Sequence, residues 1–130
     1  MERRALVDSS FYIRRLRARL DPLLELAAAS DDWEFLTCGV VQVEVLRGMT
    51  LPKPLERMTA FLGCMILVPS SNRVWERAHK LAWQLDRKGI VMQVTDLIIA
   101  TCALESDAAV LTLDSDFLQV PGLRVISALG

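Results

Sequence analysis

The stretch "TDLIIATCALESDAAVLTLDSDF", residues 95 to 117, decides the architecture. Its first part, residues 95–106, is apolar nearly all round, with Thr95 placed to cap a helix and Asp96 one residue inside it. A helix with no polar face belongs in the middle of a domain. Its second part, residues 108–114, is a continuous apolar run closed by Asp114, with Asp116 just beyond. Such a run reads as a strand covered on both faces. A buried helix feeding a buried strand implies a parallel sheet with helices on both sides, an α/β fold. Ligand sites in these sheets lie outside the carboxyl ends of the strands, where Asp114 and Asp116 stand.

Working outward, the same alternation continues to both ends of the chain. "RALVD" (4–8) reads as a first strand, followed by a helix over 9–20 that Ser9 or Ser10 would cap, with Ile13, Leu16 and Leu20 on one face. "DP" (21–22) restarts a helix that runs to about Ala29, with Asp21 as cap and Pro22 in the first helical position. "WEFLTCG" (33–39) suggests a second strand and "VVQVEVLRGM" (40–49) a short helix stopped by Gly48. Residues 53–64 look helical, and "CMILVPS" (64–70) is a strand closed by Pro69. The clearest amphipathic helix spans 72–89, with Val74, Trp75, Ala78, Leu81, Ala82 and Leu85 as its stripe and Gly89 as its end. "LRVIS" (123–127) is a short last strand. No linker, repeat or low-complexity segment interrupts this pattern.

A chain of 130 residues suits one domain, taken here as 1–130, and 52% hydrophobic content provides for a substantial core. The formal net charge of −1 argues against nucleic-acid binding through overall basicity, although a local basic patch is compatible with it. No apolar run reaches the roughly 18 residues that span a bilayer. "MERRALVDSS" lacks the apolar stretch of a signal peptide, so the expectation is a cytoplasmic protein. Cys38, Cys64 and Cys102 are far apart and there is one histidine, so the cysteines read as buried small hydrophobes, not zinc ligands.

The acids carry the chemistry. Asp8 and Asp114 close strands, Asp116 lies in the following loop, Glu44 sits in the helix entered from the second strand, and Asp96 opens the buried helix. All five map to one edge of one sheet. Each has a plainer explanation alone: a turn at Asp8, a helix dipole at Asp96, solvation at Glu44, an Asx turn at Asp114 and Asp116. Together they are costly, which limits what the cluster can be. Two carboxylates about 5 Å apart repel by roughly 3 kcal/mol at an effective dielectric near 20, so the six pairs of a quartet approach roughly 20 kcal/mol against a domain stability of about 5–15 kcal/mol. Protons or cations must offset that. Oxygen ligands without His or Cys favour Mg²⁺ or Mn²⁺, and such ions activate water for attack on a phosphodiester.

"ALVDSSFYI", "VVQVEVLRG", "VTDLIIATCAL" and "VLTLDSDF", in this order, resemble the PIN-domain ribonucleases, and within them the VapC-type toxins of bacterial and archaeal toxin–antitoxin pairs. The resemblance spans Ala5 to Phe117. It implies a three-layer α/β/α sandwich around a parallel sheet, Mg²⁺- or Mn²⁺-dependent RNA cleavage, a homodimer, and inhibition by a small antitoxin encoded beside the toxin. It places Asp8, Glu44, Asp96 and Asp114 in the catalytic, metal-binding quartet and Asp116 close to the metal. Ser9 and Thr112 fall at hydroxyl positions beside the acids. Cys38-Gly39 stands where the family commonly has Ser or Thr before the Glu.

Basic residues are grouped. Residues 14–19 hold four arginines, and Arg14, Arg15 and Arg47 are the candidates for RNA phosphates, while Arg73, Arg77, Lys80, Arg87 and Lys88 line the long helix's polar side. His79 reads as a partly exposed side chain beside Trp75 and Trp83. Leu55, Met58, Phe61, Leu62 and Met65, with the two tryptophans, form an apolar set larger than a thin helix cover needs, which suits a two-fold interface. Two rival readings stand. A receiver-type phosphoacceptor domain would want an acidic pair after the first strand and a late lysine, but Ser9-Ser10 follow Asp8 and no lysine follows Lys88. A catalytically inactive PIN-like module that only binds a partner would gain nothing from holding five acids together.

Overall fold

The computed structural model describes residues 3–130, so Met1 and Glu2 of the expected 1–130 domain lie outside the described residues. Its elements run β1 (Arg3–Val7), α1 (Ser9–Arg17), α2 (Pro22–Ala28), β2 (Trp33–Cys38), α3 (Gly39–Arg47), α4 (Pro52–Gly63), β3 (Ile66–Val68), α5 (Asn72–Arg87), α6 (Val94–Glu105), β4 (Ala109–Leu111), a 3-10 helix (Ser115–Gln119) and β5 (Val125–Ile126). The five strands form one sheet in the order β3-β2-β1-β4-β5, every pairing parallel. Helices flank it in an α/β/α sandwich, as the sequence implied. The chain builds β1 to β3 in one direction and then returns to add β4 and β5 on the other side. The direction therefore reverses between β1 and β4, which is where such sheets open a crevice at their carboxyl ends.

Apolar periodicity accounts for most of the core. Ala5, Leu6 and Val7 of β1 and Ala109, Val110 and Leu111 of β4 are all buried. In α6 seven consecutive residues, Leu97 to Ala103, are buried, as a helix with no polar face requires. The stripe of α5 buries Val74, Ala78, Leu81 and Leu85, while Trp75 faces out. Asp21 caps α2 by accepting from the backbone N–H groups of Leu23 and Leu24, and Pro22 takes the first turn.

Several boundaries differ from the reading of the sequence. Asp8 does not end β1; it is the N-cap of α1, so neither Ser9 nor Ser10 plays that part. α1 buries Ser9, Phe11 and Tyr12, whereas Leu16 is 40% and Leu20 55% exposed, so its burial is confined to the N-terminal end. Gln93, not Thr95, is the N-cap of α6. β4 stops at Leu111, three residues early; the Thr112 N–H still reaches the Ile126 carbonyl, while the Thr112 hydroxyl turns to Asp8 and accepts the Asp114 N–H. Cys64 is exposed at the end of α4, while Cys38 and Cys102 are buried as expected. In α4, Met58 and Leu62 belong to the core and Phe61 packs against it, so most of that helix's apolar surplus is core.

Candidate active site

The crevice outside β1 and β4 is organised around Asp8, which is 2% exposed. Its Oδ2 accepts from Ser10 Oγ at 2.7 Å, from Thr112 Oγ1 at 2.8 Å and from the Ser10 N–H at 3.4 Å. The two hydroxyls also lie 3.0 Å from each other. Ser10 Oγ accepts the Leu113 N–H and Thr112 Oγ1 accepts the Asp114 N–H, each at 3.0 Å, and both hydroxyls can donate to the carboxylate. Two charge-assisted bonds therefore fix one oxygen of Asp8 and tie the end of β1 to the loop after β4. Oδ1 receives only a longer contact, 3.4 Å from Ser9 Oγ.

Ser9 reaches the other way as well, donating to Glu44 Oε1 on α3 at 3.1 Å. The packing of α1 against α3 brings that pair together. Asp114 caps the 3-10 helix by accepting the Asp116 N–H at 2.9 Å, a turn that turns both aspartates toward the start of α6. Oxygens of Asp96, Asp114 and Asp116 consequently lie within 4.8 Å of one another. Asp96 carries the electrostatic cost: partial burial, then the charges of Asp8, Asp114, Glu44 and Asp116, push its carboxyl up to about 6.

The five acids anticipated from sequence thus occupy one crevice, in two groups. Asp96, Asp114 and Asp116 form the tight set; Asp8 and Glu44, joined to one another by Ser9, flank it, and Thr112 links Asp8 to the Asp114 backbone. Ser9 and Thr112 stand beside the carboxylates. Sequence reasoning passed over Ser10 except as a cap, although a serine two residues after a capping aspartate at a strand end is placed to fold back on that carboxylate. Cys38 is the N-cap of α3 without a side-chain cap hydrogen bond, at the position where a hydroxyl would have supplied one.

The basic residues are divided. Arg14 donates to the Leu113 carbonyl at 2.5 Å and so braces the loop that carries Asp114. Arg15 pairs with Glu25 at 3.0 Å and lies over the Phe11 ring. Arg47 is exposed at the end of α3 and makes no ion pair among the described residues. On α5, Arg73 and Arg77 both pair with Glu105, and Lys80 pairs with Glu76. His79 is exposed and away from the acids.

A divalent cation fits this donor set. Every converging atom is a carboxylate oxygen, and no nitrogen or sulfur ligand belongs to the group.

Comparison with known proteins bears on the family and the fold. The family model described as PIN domain matches residues 5–123. Among solved structures, a DNA-bound VapBC from Salmonella typhimurium is similar at 18% identity and a TM-score of 0.79, with 97% of this chain and 98% of that chain covered. A toxin–antitoxin complex from Klebsiella pneumoniae is similar at 21% identity and a TM-score of 0.72, covering 95% and 96%. VapC20 of Mycobacterium tuberculosis, a sarcin–ricin loop cleaving toxin, is similar at 13% identity and a TM-score of 0.67, covering 92% and 98%. No curated protein matches the sequence.

Proposed function

Because the chain belongs to the PIN-domain family, we propose that it is a metal-dependent endoribonuclease acting as the toxin of a toxin–antitoxin pair. The observation that carries this reading is the convergence of Asp96, Asp114 and Asp116 oxygens within 4.8 Å beside Asp8 and Glu44. The receiver-type alternative falls with the family match. Asp96, Asp114 and Asp116 would hold Mg²⁺ or Mn²⁺, with Asp8 and Glu44 completing the site directly or through water. A bound divalent ion supplies charge neutralisation at the phosphodiester and a more acidic attacking water.

The residues around it prepare that chemistry. Ser10 and Thr112 hold the Asp8 carboxylate in one orientation before any ligand arrives, so no reorganisation is needed at the moment of reaction. Asp96 keeps a proton in the metal-free site at mildly acidic pH and gives it up when a cation is held, which ties ion binding to pH. Arg14 and Arg47 would receive phosphates of the RNA, and Arg15 would do so after exchanging its Glu25 partner. An antitoxin partner, a cytoplasmic location and a homodimer complete the reading. Support for the antitoxin comes from neighbours that are toxin–antitoxin complexes, and for the dimer from Trp75 and Trp83, which are 49% and 61% exposed. Among the described residues no helix is long and apolar enough to cross a membrane.

Cleavage of a fluorogenic single-stranded RNA in Mg²⁺, with and without EDTA, tests the proposal. EDTA-sensitive cleavage is expected, lost in Asp96→Asn. RNA that stays intact in Mg²⁺ and in Mn²⁺ would leave the inactive binding module as the better reading.

A further inference from the structure

Beside the acids the molecule has a groove of about 400 Å³, lined by Arg14, Leu113, Leu118, Val125 and the exposed Ser115 and Ser127. Thr112 and Asp114 line it as well, so it opens directly from the candidate site. Its volume falls within the roughly 300–1,000 Å³ of small-molecule sites. We infer that this groove takes an unstacked base of the RNA strand, next to the phosphate held at the acids, and so contributes to the choice of cleavage position. The inference rests on the ribonuclease reading and adds to it a base-binding site.

Three observations favour a nucleobase over other occupants. The wall is apolar where Leu113, Leu118 and Val125 contribute, and Leu118 is 70% exposed although it lies beside a charged crevice. A base offers a flat, uncharged face to such a wall and a hydrogen-bonding edge to the serine hydroxyls at its rim. An acidic side chain in the groove would face Asp114 with Arg14 as the one cation of the lining, whereas a base is neutral and leaves Arg14 to its phosphate. Arg14 uses one nitrogen on the Leu113 carbonyl, and its planar guanidinium has further N–H groups for a flanking phosphate. A strand crossing the acids would thus find, at the adjoining nucleotide, a cation for the phosphate and an apolar surface for the base. Duplex RNA cannot use this surface, because its bases are stacked and paired.

The test uses Leu118→Ala, whose exposed position keeps the fold out of question. Binding of a fluorescein-labelled, random-sequence single-stranded RNA is measured by anisotropy in Mg²⁺, in the whole chain made cleavage-dead by Asp96→Asn. Leu118→Ala is expected to weaken this binding roughly tenfold, the loss of about one base contact, and to leave binding of duplex RNA unaltered. In the cleaving chain, sequencing of product ends should show the base preference flattened at one position beside the cut. Unchanged affinity for single-stranded RNA in Leu118→Ala overturns the inference whatever the cleavage pattern. Affinity lost equally for duplex and single strand overturns it too, because a general surface contact would then be responsible. RNA that binds through the groove but is never cut by the unsubstituted chain overturns the ribonuclease reading and leaves the base site standing.

Discussion

Asp8 and Asp96 show how one residue type acquires different surroundings within one crevice. Asp8 is buried, but its charge is matched by two hydroxyl donors and a backbone N–H. Asp96 has no such donors and faces four other acids, and its carboxyl is pushed up to about 6. The folded chain therefore binds this proton more tightly than the unfolded chain does. The contribution of Asp96 favours folding at acid pH and is lost as pH rises from 3.8 through about 6. Asp96→Asn removes that loss, so the metal-free variant should melt above the parent near neutral pH, with the gap closing toward pH 4. Asp8→Asn, which weakens the hydroxyl clamp, should be less stable than Asp96→Asn by about 1 kcal/mol. Thermal melts in EDTA across this pH range check both signs. A melting temperature for Asp96→Asn below that of the parent at neutral pH would show that the carboxylate repulsion is offset by something other than a proton.

At the scale of elements, helices were legible and their ends were less so. The all-apolar run of α6 and the stripe of α5 fix both helices from residue pattern alone. The strand ends were read too long because Asp8 and Thr112 continue the runs before them in sequence. In space each keeps one backbone bond to a neighbouring strand, Asp8 N–H to Leu111 and Thr112 N–H to Ile126, and its side chain then joins the site. The buried face of α1 differs for a related reason: period identifies Ile13, Leu16 and Leu20 as a stripe, but how much of a helix is covered is set by its neighbours, here α2 and α3. Gln93, the N-cap that precedes α6, is in an extended conformation, φ −64 and ψ 148, with no side-chain cap hydrogen bond. That geometry suits a serine, whose hydroxyl would accept one of the free N–H groups of the first turn. Gln93→Ser should therefore stabilise the chain by about 0.5–1 kcal/mol, a rise of a few degrees in the thermal melt. Because Gln93 is exposed, no core contact is lost. An unchanged melt would mean that the N-terminus of α6 is already satisfied by water.

The whole molecule follows from one reversal of direction. Returning the chain across β1 to place β4 beside it brings Asp8, Asp114 and the head of α6 to the same edge. The sequence therefore indicated where the acids meet but not their grouping. That the tight set is Asp96, Asp114 and Asp116 depends on the 3-10 helix, a turn whose geometry residue pattern does not specify. The surface is harder still to read, since the surplus apolar residues of α4 turned inward while the tryptophans of α5 did not. Trp83 is 61% and Trp75 49% exposed, on the flank of a helix whose own stripe is fully occupied by the core. Burying two such rings on each of two chains removes apolar surface from water at about 25 cal/mol per Å², and an isologous two-fold contact does so with one patch. Light scattering of the protein alone should give twice the 14.6 kDa of one chain. The double substitution Trp75→Glu, Trp83→Glu should return it to one chain's mass with its circular dichroism unchanged, because neither ring belongs to the core. A single-chain mass for the unsubstituted protein at micromolar concentration would refute the dimer, and an unaltered dimer in the double variant would move the interface off α5.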